Sequence, residues 1–163
     1  DYPDYSGIIV KYFGVPDSSF LSLDTNKVIK IKGVVQEYFT TTQFIINEFS
    51  TSNIIGNKER PNPILITLDS LAEIGTYNPK YLAEKWEAMY VEVRNVTTSD
   101  PGVLGGGSFR IVDENNTQVL VGRGSTWINS SQAPIPGTKL DYIRGYIETR
   151  NNLQDGWFII NPV

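Results

Sequence analysis

The sequence predicts an all-β fold containing one complete five-stranded barrel and the closing half of a second. Three observations carry that reading. Segments of β-branched and aromatic residues dominate the chain, with aromatics at 12% of 163 positions. Turn residues punctuate those segments at small-barrel spacing. The chain also matches itself across two stretches.

The first element is Ile8–Val10, a short apolar run after Gly7. Residues 27–39 (KVIKIKGVVQEYF) alternate, with Lys30 and Lys32 on one face and Ile29 and Ile31 on the other, which predicts one long strand. A polar turn at Thr40-Thr41-Thr42 leads into a strand at 43–49. Residues 50–63 are polar and broken by Gly56, Pro61 and Pro63, so they read as a connector. Ile64–Leu68 is a short strand, followed by expected helical turns at 71–74, capped by Asp69 or Ser70 and ended by Gly75, and at 78–86. Strands then resume at 88–97, 108–113, 118–122, 139–149 and 156–160, five in about 75 residues. Glu114–Thr117 is the hairpin turn, where Asn and Asp tolerate left-handed backbone. The expected organisation is a partial unit at 1–49, a connector at 50–85 and a complete barrel at 86–163.

In the self-match, Gly7–Val10, Val28–Val35 and Phe44–Asn47 align with Gln118–Val121, Leu140–Ile147 and Phe158–Asn161. Gly33 and Gly145 fall mid-strand, where glycine usually marks a bulge or a barrel corner. Two further strands precede the second copy, and nothing before Gly7 matches them. The first copy therefore supplies only the last three strands of a five-stranded unit. Such a set leaves edges open unless a longer chain, a neighbouring chain or the second barrel covers them.

Composition narrows the chemistry. The chain has no Cys and no His, which removes Cys/His zinc sites, cysteine nucleophiles, disulfides and Ser-His-Asp triads. Hydrophobic residues at 40% and charged residues at 20% describe a packed globular chain. The net charge of −4 gives no long-range pull toward nucleic acid or anionic lipid. No apolar run reaches the roughly 18 residues of a membrane span. Asp1–Tyr5 has neither the basic nor the apolar region of a signal peptide.

Residues 32–38 and 42–44, the connector from Pro63 to Leu71, Glu84–Val91 with Asn95–Thr97, and Phe158–Pro162 together resemble the OB-fold repeats of secreted bacterial nucleases and related lipoproteins. These are similar to modules in large surface-exported proteins of the Bacteroidetes and Chlorobi type. The resemblance spans nearly all of residues 7–162 and rests on strand-and-turn signatures. It implies a complete OB-like barrel plus a partial OB-like unit in an extracellular or cell-surface setting. The catalytic motifs of those nucleases are absent, so neither an enzyme nor a cofactor is expected.

OB barrels bind ligands on the face of their second and third strands. That points to Phe109, Arg110, Arg123 and Trp127, with Tyr142 and Arg144 on the long strand beside them. Aromatic and arginine side chains suit stacking on single-stranded bases, sugar rings or a protein partner. The plainer reading of Phe109 is barrel core, because Phe109 and Ile111 alternate against Arg110.

Other candidates have plain readings too. Glu84 and Glu87 read as a solvated helix end beside Lys80 and Lys85 rather than a catalytic carboxyl pair. Asp113–Asn116 lacks the acid spacing of a calcium loop, and Leu104–Ser108 lacks the Lys-Ser/Thr pair of a phosphate loop. Lys27, Lys30 and Lys32 read as a solubilising edge. Asn95, Asn115 and Asn129 fit the N-glycosylation pattern, and Asp69-Ser70-Leu71 resembles an O-glycosylation triplet centred on Ser70.

The expected function is a non-catalytic extracellular structural or interaction module that meets other chains or flanking domains through open strand edges. The alternatives are a nucleic-acid-binding accessory domain and a carbohydrate-binding module.

Overall fold

Alternation builds the barrel directly. Along Tyr90–Ser99 (β7), Val91 and Val93 face inward while Tyr90, Glu92 and Arg94 face outward. The computed structural model describes residues 6–16, 18–24, 26–38, 41–71, 83–99, 108–122, 134–149 and 158–163. In it β7 pairs antiparallel with β8 (Phe109–Val112), and β8 pairs antiparallel with β9 (Gln118–Val121). β9 runs parallel to β11 (Phe158–Pro162), β11 antiparallel to β10 (Lys139–Thr149), and β10 returns antiparallel to β7. The ring β7-β8-β9-β11-β10-β7 is closed, so the chain is all-β with a five-stranded OB-like barrel. Val91, Ile111, Val121, Ile147 and Ile160, one from each strand, are fully buried at its centre. Each such side chain contributes about 1.5–3 kcal/mol by leaving water.

The turn between β8 and β9 is built as its sequence requires. Asn116 has φ 62°, and the Asp113 carboxylate accepts the Asn115 and Thr117 amides at 2.9 Å each.

The N-terminal part adds strands β1 (Ile9–Tyr12), β2 (Lys27–Ile29), β3 (Val34–Tyr38), β4 (Thr41–Ile46) and β5 (Ile54–Asn57). β1 runs parallel to β4, and β3 runs antiparallel to β4. The order β1-β4-β3 thus has the pairing directions of β9-β11-β10. One row across the first set is Val10–Phe44–Val35, and its counterpart across the barrel is Val121–Ile160–Ile147.

This register shifts the expected alignment of the closing strands. Phe44 is the structural counterpart of Ile160 rather than of Phe158. The offset is two residues, an even number, so each side chain keeps its face.

The long strand expected over residues 27–39 is divided into β2 and β3. The reason is a distant partner: the Asn53 side-chain amide donates to the Lys30 carbonyl at 2.8 Å, and Lys30 donates its own amide to the Asn53 carbonyl at 2.8 Å. Both backbone groups of Lys30 are therefore taken by one residue. β2 pairs antiparallel with β5, much as the first half of β10 pairs with β7. The stretch expected to be an irregular connector thus supplies a strand.

A four-residue helix that the sequence did not signal, α1 (Ser18–Leu21), brings Phe20 onto Tyr12 at 5.1 Å and edge-on to Phe49 at 5.6 Å. The rest of the connector is built into the barrel. β6 (Ile64–Leu65) runs parallel to β7, and Ile66, Leu68 and Leu71 join the barrel core. Leu68–Ser70 is a single 3-10 turn. Of the helical turns expected at 71–74 and 78–86, residues 72–82 lie outside the described residues; Ala83 and Glu84 are helical, and their carbonyls accept the Trp86 and Glu87 amides at 2.9 and 3.0 Å. No helix among the described residues is long and apolar enough to cross a membrane.

Candidate functional site

Gly33 and Gly145 mark the corners from which the site is built. A Cβ added at Gly33 would lie 2.0 Å from the Ile45 carbonyl oxygen, and one at Gly145 would lie 2.3 Å from that of Asn161. Ile45 and Asn161 are counterparts in the register above, so both glycines meet the same carbonyl of their closing strand. At Gly145, β10 passes from β7 to β11. Only a residue without a side chain allows that close approach.

Beyond the corners the two sets differ in what covers them. Ile8, Val10 and Val35 are 46%, 38% and 62% exposed. Their counterparts Val119, Val121 and Ile147 are 3%, 0% and 0% exposed. Every residue of β3 is exposed. Among the described residues β1 has β4 as its single neighbour, whereas β9 lies between β11 and β8. The first set is a sheet with apolar core-type positions open and a strand edge unpaired.

A buried polar clasp holds that sheet to the barrel. Thr149 Oγ1 lies 2.5 Å from Glu87 Oε1 and 2.7 Å from Thr41 Oγ1, and the Thr42 amide donates to Glu87 Oε2 at 3.2 Å. Glu87 is therefore buried and bonded. The expectation of a solvated helix end is corrected, because the Thr149 hydroxyl and the Thr42 amide replace water around its carboxylate. Glu84 is half-buried beside it.

Among the described residues, those expected on a ligand face are not all brought together. Phe109 is buried in the barrel core, facing Val121 across the ladder, so its ring is not offered to a ligand. Arg110 lies half-buried on β8, paired in register with Ser99 and Leu120. Tyr142 and Arg144 stand on β10, which neighbours β7 and β11 rather than β8 or β9. Arg123 and Trp127 lie outside the described residues.

Tyr142 and Arg144 instead join an outward face that sequence reading missed. Across β7 and β10 the partners are Tyr90–Tyr146, Glu92–Arg144 and Arg94–Tyr142. Glu92 is 3% exposed beneath two arginines, accepting from Arg144 Nε at 2.5 Å and from Arg94 Nε. The Arg144 hydrogen bond first, and that of Arg94 second, hold the Glu92 carboxyl below its ordinary range. Glu92 in turn raises Arg144. The Arg144 guanidinium also lies 4.6 Å from the centre of the Tyr142 ring. The signal was present in the alternation YVEVRN, which places Tyr90, Glu92 and Arg94 on one face.

The modification candidates scatter. Asn95 is exposed with φ 54°, Asn115 is exposed in the hairpin turn, and Ser70 is half-buried with its hydroxyl 3.2 Å from that of Thr67. Asn129 lies outside the described residues. The expected lysine edge is divided by the break between β2 and β3, with Lys27 donating to Asn57 at 3.0 Å. Among the described residues no group of three or more acidic side chains is placed to hold a metal ion.

Fold and site together define an all-β, OB-like module with an uncovered accessory sheet. Comparison with protein-family models, with curated proteins and with solved structures finds no match.

Proposed function

We propose that this chain is a non-catalytic structural or interaction module, and that its N-terminal sheet is a second copy of the OB-like unit completed by a strand from a neighbouring chain or flanking domain. The observation that carries the reading is the exposure of Ile8, Val10 and Val35 where Val119, Val121 and Ile147 are buried. β5 already stands beside β2, as β7 stands beside β10. The place left open is that of β8: an extended strand antiparallel to β1, apolar on the side facing Val10 and Val35. Strand addition would satisfy the β1 edge and cover those side chains in one step. An extracellular setting is supported by the likeness of the strand-and-turn signatures to repeats of secreted nucleases.

Light scattering over a range of concentrations tests the reading. The isolated chain should self-associate as concentration rises, and Val10→Lys should suppress that association by placing a charge on the edge. A monomer at every concentration, unchanged by the substitution, would overturn it.

A further inference from the structure

The Glu92 face leaves one arginine unaccounted for. Arg60 lies between β5 and β6, next to Pro61, whose ring fixes the backbone there. Its guanidinium lies 4.1 Å from the centre of the Tyr90 ring, and Tyr90 is itself 5.4 Å from Tyr146. Arg94 and Arg144 share the Glu92 carboxylate. Arg60 has no carboxylate partner among the described residues, and its Nε is buried without a hydrogen-bond partner.

A buried guanidinium N–H left unpaired costs the free energy of its lost hydration, and native structures rarely keep one without an acceptor. Arg60 lines a cleft of about 250 Å³ together with Ser6, Gly7, Asn62, Met89, Tyr90 and Tyr146. The volume suits one amino-acid side chain. The lining offers apolar and aromatic walls, with the polar residues Ser6 and Asn62, around a single cation.

We infer that this cleft binds a carboxylate-bearing side chain, that of an acidic residue in a peptide or protein partner, with the carboxylate on Arg60 and the stem along the wall that Met89, Tyr90 and Tyr146 form. A single negative charge matches the one guanidinium. A phosphate dianion would be left half-compensated on a chain of net charge −4. The Tyr90 ring face beneath the guanidinium holds the cation at the cleft wall through a cation–π contact. Ser6 and Gly7, just before β1, line one side of the cleft, but the inference does not require strand addition, because the group it assigns to the ligand is the Arg60 guanidinium and not the backbone edge of β1.

Met89 is the single methionine of the chain and lines the cleft, so its methyl group gives one assigned signal. The experiment titrates protein carrying a ¹³C-labelled methionine methyl with blocked tripeptides Gly-Glu-Gly and Gly-Gln-Gly, and with inorganic phosphate at the same ionic strength. The glutamate peptide should shift the Met89 signal saturably, and the glutamine peptide and phosphate should not. Arg60→Gln should weaken the response by about tenfold or more, as expected on loss of a charge-assisted pair. Arg60→Lys, which keeps the charge but not the fork, should fall between. Each variant is compared only if its methyl signal retains the wild-type position without ligand, and Tyr146→Ala supplies a second lesion in the cleft with the same expected weakening. Equal shifts from the glutamate and glutamine peptides, a response to phosphate alone, or no response at all would overturn the assignment.

Discussion

Adding one methyl group at Gly145 places a Cβ 2.3 Å from the Asn161 carbonyl oxygen, 2.7 Å from its carbonyl carbon and 2.7 Å from Ile160 Cγ2. Two of these atoms belong to the β11 backbone, so relief requires β11 to move away from β10 and lengthens their shared hydrogen bonds. Overpacking of this kind costs about 1–3 kcal/mol. Alanine returns about 0.4–1 kcal/mol by restricting the unfolded chain. The net expectation for Gly145→Ala is a loss of about 1–2 kcal/mol. Urea denaturation followed by circular dichroism reads it directly, because a slope of about 2 kcal/mol per molar turns that loss into a midpoint lower by about 0.5–1 M. Gly56→Ala is the internal control. Nothing lies within 4 Å of a Cβ at Gly56, so its stability should hold or rise by up to about 1 kcal/mol. A Gly145→Ala protein as stable as the Gly56→Ala protein would refute the corner assigned to β10.

Three further outcomes follow from the same geometry. Thr149→Val keeps the side-chain shape but removes the hydroxyl shared by Glu87 and Thr41, so stability should fall by about 1–3 kcal/mol and the Thr42 amide should exchange faster with deuterium. Ile147→Ala should cost about 2–5 kcal/mol. Val35→Ala, at the counterpart position but 62% exposed, should stay within about 0.5 kcal/mol of wild type; paired thermal and urea melts compare them. Glu92 has its folded-state acidity raised by Arg144 and Arg94, so its contribution is present above the unfolded carboxylate range and is lost as pH falls through the depressed folded value. The stability difference between wild type and Glu92→Gln should therefore shrink on acidification, as read by melts across the acidic range.

Much of the barrel was legible because its strands alternate and its turns carry Asn, Asp and Gly. Lys139–Thr149 forms the strand its sequence specified, and Gly145 lies at the corner its mid-strand position implied. Four features were not legible. The break after β2 depends on Asn53, a partner 23 residues from Lys30. The paired Phe-Ile-Ile-Asn runs suggested a register two residues from the one observed, since period-two alternation cannot distinguish even shifts. Ligand-face reasoning selected Phe109 and grouped Tyr142 and Arg144 with β8 and β9, because sequence order does not reveal that β10 closes onto β7. The Glu87 clasp joins residues more than 40 positions apart, so its local neighbours Lys80 and Lys85 gave the wrong environment.

Residue-resolved hydrogen exchange on the chain, with and without a blocked peptide of sequence SFRIVD, tests the incomplete unit most directly. That peptide copies the segment from Ser108 to Asp113, which contains β8. The account predicts that β9 and β11 amides exchange slowly from the outset, that β1 amides exchange quickly alone, and that the peptide slows β1 saturably while a scrambled peptide does not. Slow exchange along β1 without any added strand, or no response to the peptide, would contradict it.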